Sequence, residues 1–205
     1  MNSIAHVLAT VLFALLCWTS KSLAGGVPLG TFSIGSATVG VTTLTEILDA
    51  YGTAKASRIS GEDEADISVC YVHSSPKGET FLVFESGVMG SFKVVTGFRV
   101  SVLRPKEHCV STKIELGGLK TGNGIQLGLK LEDFKKALPV EFKHRDSRFI
   151  YRAVTKRVAT HEELRKLRER WPNERQDYFD VTTTLIANFK QDRLVDLYVH
   201  RIESY

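Results

Sequence analysis

The sequence predicts an α+β protein of two tandem units. Each unit is a short helix packed on an antiparallel β-sheet, with an extra helix inserted in the second unit. Three observations carry this expectation. Segments with an apolar period near 3.6 are short, and two of them open on capping boxes. Segments with a period of two are longer and meet at turns. The order helix then strands occurs in both halves of a 205-residue chain.

The first 24 residues set the compartment. Ile4 to Trp18 is a run of 15 residues broken only by His6 and Thr10, and Ser22-Leu23-Ala24 precedes Gly25-Gly26. This reads as a signal peptide spanning residues 1–24, which places the mature chain in the periplasm or outside the cell. The run is shorter than the roughly 20 residues a bilayer crossing needs. No second long apolar run follows, so no transmembrane segment is expected in the mature chain. Leu16 precedes Cys17, where lipid attachment needs a small residue.

The first unit spans 25–118. Thr43-Leu44-Thr45-Glu46 has capping-box spacing, and Leu44, Ile47, Leu48 and Tyr51 then form one helical face that Gly52 closes. An acidic turn, Gly61 to Asp66, lacks the ligand spacing of an EF-hand. Strands follow at Ile67–His73 and Glu79–Glu85 around a turn containing Pro76 and Gly78. Phe92, Val94, Phe98, Val100 and Val102 then share one face of a strand, opposite Lys93, Arg99 and Ser101.

The second unit spans 119–205. Leu131, Phe134, Ala137 and Leu138 mark a helix ended by Pro139, with Glu132 and Lys136 as an i, i+4 pair. Ser147 to Val158 reads as a strand. Thr160-His161-Glu162-Glu163 caps the inserted helix, whose apolar stripe is Leu164, Leu167 and Trp171, with Trp171 read as core. Two strands close the chain, Tyr178–Lys190 and Leu194–Glu203, around Gln191-Asp192-Arg193. Phe179, Val181, Leu185, Ala187 and Phe189 share one face of the first.

The two halves echo each other in pattern. Val39-Gly40-Val41-Thr42 and Leu127-Gly128-Leu129-Lys130 each precede a helix. Gly122-Asn123-Gly124-Ile125-Gln126-Leu127-Gly128-Leu129, followed by Glu132-Asp133-Phe134 and Ala137-Leu138, resembles the opening of exported bacterial modules. These are the repeats of the secreted β-lactamase inhibitor protein and of small outer-membrane assembly lipoproteins of the SmpA/OmlA type. The resemblance implies the helix-on-sheet fold and brings no catalytic residues with it. Pro139 stands where that pattern usually ends in Gly.

Two cysteines remain after the leader, Cys70 and Cys109, 39 positions apart. In an oxidising compartment they are expected to pair. Loop-closure entropy then contributes roughly 3–4 kcal/mol. A metal site with His73 and His108 is the alternative reading. Against it, Cys70 and His73 point to opposite faces of their strand.

Charge is uneven. The whole chain has 27 Lys and Arg against 23 Asp and Glu. Residues 25–119 carry 8 basic and 10 acidic residues, whereas residues 120–205 carry 18 and 13. Export and a near-balanced charge argue against nucleic acid as a partner.

No catalytic residue, metal ligand set or cofactor motif is predicted. Gly118-Leu119-Lys120-Thr121 lacks phosphate-loop spacing, Arg165 stands where a zinc-protease helix needs its second His, and no Gly-x-Ser-x-Gly is present. The expectation is a non-catalytic, exported protein-binding or inhibitor-like module, with the strand side around Lys93, Arg99 and Ser101 as part of its contact face. One alternative is adhesion to anionic lipid or polysaccharide through Arg165, Lys166, Arg168 and Arg170. A hydrolase without a recognisable motif is the remaining reading.

Overall fold

The computed structural model describes residues 27–60, 65–87, 93–173 and 175–204. The expected signal peptide, residues 1–24, residues 61–64 of the acidic turn, and Phe92 lie outside the described residues. The chain is α+β, and the described residues form three α-helices, a large mixed sheet and a two-stranded antiparallel sheet.

A short 3-10 turn, Leu29–Phe32, leads into the small hairpin β1 (Ser33–Ile34) and β2 (Ala37–Thr38). Helix α1 (Leu44–Tyr51) follows. Then come β3 (Ser57–Ser60), β4 (Ala65–Ser75), β5 (Gly78–Ser86), β6 (Gly97–Ser101) and the short β7 (Val110–Ser111). Helix α2 (Leu131–Ala137) opens the second half. It precedes β8 (Lys143–Arg145), β9 (Arg148–Val158), α3 (His161–Arg170), β10 (Tyr178–Lys190) and β11 (Arg193–Ser204).

The large sheet runs β3-β4-β5-β6-β11-β10-β9-β8, with β7 added parallel to β4. Two antiparallel meanders, β3 to β6 and β8 to β11, therefore join through their last strands. The register explains the core. Tyr71, Leu82, Val100, Leu197, Ala187 and Phe149 form one cross-strand row over six strands, and all are buried. Burying the Leu, Val and Phe side chains of that row contributes roughly 1.5–3 kcal/mol each. Tyr51 of α1 packs on Tyr71 and Phe84 with ring centroids 5.4 and 5.5 Å away. Phe134 of α2 packs edge-on to Phe189 at 5.3 Å. Both helices thus cover the same face of the sheet.

The helix entries are built alike. The Gly40 amide bonds to the Val95 carbonyl, Val95 to Thr42, and Leu44 to Lys93. In the second half Gly128 bonds to Leu194, Leu194 to Leu129, and Leu131 to Asp192. Gly40 and Gly128 sit at φ of 80° and 81°, a left-handed turn that glycine takes without strain.

Several expectations need correction. Val102 is 45% exposed because β6 ends at Ser101. Lys136 pairs with Asp133 rather than Glu132, at 3.5 Å. No residue of α3 is fully buried, and Trp171 is 47% exposed beneath the Arg170 guanidinium, not in the core. Helix α3 is instead tied down by ions: Arg157 of β9 donates to Glu163 and to Glu203 of β11.

Candidate functional site

The face of the sheet opposite α1 and α2 carries the chemistry. Alternation in β10 and β11 sends Leu185, Ala187, Leu197 and Val199 to the core, so Ile186, Asn188, Asp196, Tyr198 and His200 point the other way. Pairing with β6 sets Arg99 opposite Tyr198 and Ser101 opposite Asp196.

A hydrogen-bonded cluster forms there. Arg99 Nε donates to Asp196 Oδ1 at 2.6 Å, and Asn188 Nδ2 donates to Asp196 Oδ2 at 2.6 Å. Asp196 is only 1% exposed, so its charge is held by both contacts rather than by water. The bond to Asp196, helped by the charges of Asp196, Glu107 and Glu85, raises the Arg99 pKa against the opposing effect of burial. Tyr198 donates to Glu85 Oε2 at 2.9 Å, and its ring stacks on His200 at 5.9 Å. Gly97 gives His200 its place: a Cβ there would lie 2.8 Å from the His200 ring.

Glu85, Arg99, Asn188, Asp196 and Tyr198 line a hollow of about 350 Å3, together with Val83, Glu107, Arg148 and Ile186. One wall is a strap, residues 102–109, that crosses the outer face of β5 and β4. The Cys70–Cys109 disulfide anchors its end. Arg104 lies over the Phe81 ring and pairs with Glu79, and Leu103 N donates to Ser101 Oγ. The strap covers Phe81 and Val83, which are buried although they point away from the helices. A larger cavity of about 660 Å3 lies under α2. Its walls are mainly apolar, and no hydrogen-bonded polar cluster converges in it among the described residues.

Among the predicted site residues, Cys70 and Cys109 are joined, and Arg99 and Ser101 lie beside the hollow. Among the described residues, no group of three His, Cys, Asp or Glu gathers with metal-binding geometry. Arg165, Lys166, Arg168 and Arg170 sit on α3, away from the hollow. Arg165 bridges Glu162 and Glu169 at 2.9 and 2.6 Å, and Lys166 reaches Glu162 at 3.3 Å. Three glutamates, Glu162, Glu163 and Glu169, thus stand against the four cations of that helix.

Sequence reasoning missed Glu85, Glu107, Arg148, Asn188, Asp196 and Tyr198. The signal was present for part of this set, because Asp196, Tyr198 and His200 alternate with Leu197 and Val199. The Arg99–Asp196 pair spans 97 positions and becomes visible only once β6 meets β11. In comparisons with known proteins, the chain matches no family model, no curated protein and no solved structure.

Proposed function

We propose that the chain is an exported, non-catalytic module that binds a protein through the open face of its sheet. The observation that carries this reading is the contrast between the two faces. One is sealed by α1, α2 and the β1–β2 hairpin. The other presents Tyr198, Ile186, Arg99 and Arg148 around a hollow whose polar groups are pre-organised by hydrogen bonds. Aromatic and arginine side chains around a pocket suit protein recognition. Export is supported by the leader pattern and by a disulfide, which persists in oxidising compartments. Two tandem units, 25–118 and 119–205, are supported by the twinned helix entries and meanders, in keeping with the resemblance to inhibitor-like modules.

Adhesion to anionic lipid through α3 is the weaker reading, because its own glutamates offset those cations. The test is capture from envelope extract with the wild-type chain and with Tyr198→Ala/Ile186→Lys. A partner that is retained by the first and lost by the second sustains the reading. The same proteins recovered with both contradict it.

A further inference from the structure

Resting on that reading, we infer that the partner meets this chain with an acidic, extended segment laid along the outer face of β8 and β9.

Lys143 and Arg145 of β8, with Arg148, Arg152 and Lys156 of β9, project from the open face. Their cross-strand partners fix this: Lys143 faces Ile150 and Arg145 faces Arg148, while Arg148, Ile150 and Arg152 face Asn188, Ile186 and Thr184. All five cations are exposed. Lys143, Arg145, Arg148 and Arg152 have no carboxylate partner among the described residues, and Lys156 lies over the Tyr178 ring at 3.8 Å beside Asp180. This sets the band apart from α3, where arginine and lysine meet glutamates on the same helix.

The band also carries a local cost. Arg145 and Arg148 are direct cross-strand neighbours, and like charges in that position repel. A counter-charge from outside relieves that repulsion. Residues four apart on a strand are separated by roughly 13 Å, and β8 lies about 4.8 Å from β9, so the band is long and narrow. Ile150 and Val154 interleave the cations of β9, and Val154 is 61% exposed. A segment whose every second residue is in turn acidic and apolar presents both along one face and matches that pattern. Beyond Ile150, β9 pairs with no strand on its outer side among the described residues. The cations there disfavour pairing with a second copy of this chain.

The experiment uses a fluorescein-labelled peptide repeating Glu-Ser-Val-Ser, which sets Glu and Val in turn along one face, with a Lys-Ser-Val-Ser peptide as control, and follows anisotropy. Two variants change the net charge equally: Arg148→Glu/Arg152→Glu in the band, and Arg165→Glu/Arg168→Glu on α3. Circular dichroism confirms folding of both. The inference predicts binding of the acidic peptide that weakens about tenfold or more in the band variant, stays unchanged in the α3 variant, and declines with salt. Equal loss in both variants, no saturable signal, or tighter binding to a sulfated polysaccharide or phosphatidylglycerol vesicles would overturn it. If the capture experiment retains a partner that the band variant still binds, the open-face reading stands and this inference alone falls.

Discussion

The two meanders of the sheet share a core face and differ on the other. In the first, β4 and β5 are covered on both sides: α1 packs beneath them and the disulfide-anchored strap lies above. In the second, β9 and β10 are covered by α2 beneath and by no comparable strap above among the described residues. The difference shows in residue choice. Outer-face positions of β4 and β5 include buried Cys70, Phe81 and Val83. Those of β9 are Arg148, Ile150, Arg152, Val154 and Lys156. A sheet covered on both faces reads as nearly continuous apolar sequence, whereas a half-covered one alternates. The first half is thereby a support, and the second offers the surface.

The largest test of this contrast is the joint between the halves. Asp196→Ala leaves Arg99 and Asn188 without their shared acceptor and is expected to cost roughly 3–5 kcal/mol in urea unfolding. Asp196→Asn, which keeps the shape, should cost less. Replacing both Cys70 and Cys109 by Ala frees the strap. Chemical denaturation should show a loss of roughly 3–4 kcal/mol, and hydrogen exchange should speed up over residues 102–109 first.

Smaller effects test the helices. Thr43 and Thr160 each cap a helix through a complete capping box. Thr43→Ala and Thr160→Ala should each cost about 1 kcal/mol. Because no residue of α3 is buried, the second should melt its helix locally, with little change in the midpoint of global unfolding. The smallest effect is on acid stability. The bond from Arg157, with that from the Thr160 backbone, lowers the Glu163 pKa from 4.5 to about 2. A depressed carboxylate stabilises the fold above its unfolded pKa and loses that contribution as pH falls through the folded value. The tie of α3 to β9 should therefore weaken between pH 4.5 and about 2, and Glu163→Gln should remove that pH dependence.

Much of the architecture was legible locally. The capping box at Thr43, the stop at Gly52 and the alternation of Tyr178–Lys190 place α1 and β10 where the structure has them. The strands β1, β2, β3, β7 and β8, of two to four residues each, are too short to show such a period, and β7 finds its partner β4 about 39 positions back in the chain. Helix α3 misled for a different reason. Its spacing promised a buried stripe at Leu164, Leu167 and Trp171, but ionic contacts to Arg157 hold it at the surface. The hollow is the extreme case, since Glu85, Arg99, Asn188 and Asp196 come from four strands.

The most direct measurement is site-specific photo-crosslinking in envelope extract, with benzophenone at Val154 on the open face and, separately, at Lys136 on α2. The account predicts a discrete protein adduct from position 154 and none from position 136. Adducts of the same proteins from both positions, or from position 136 alone, would contradict it.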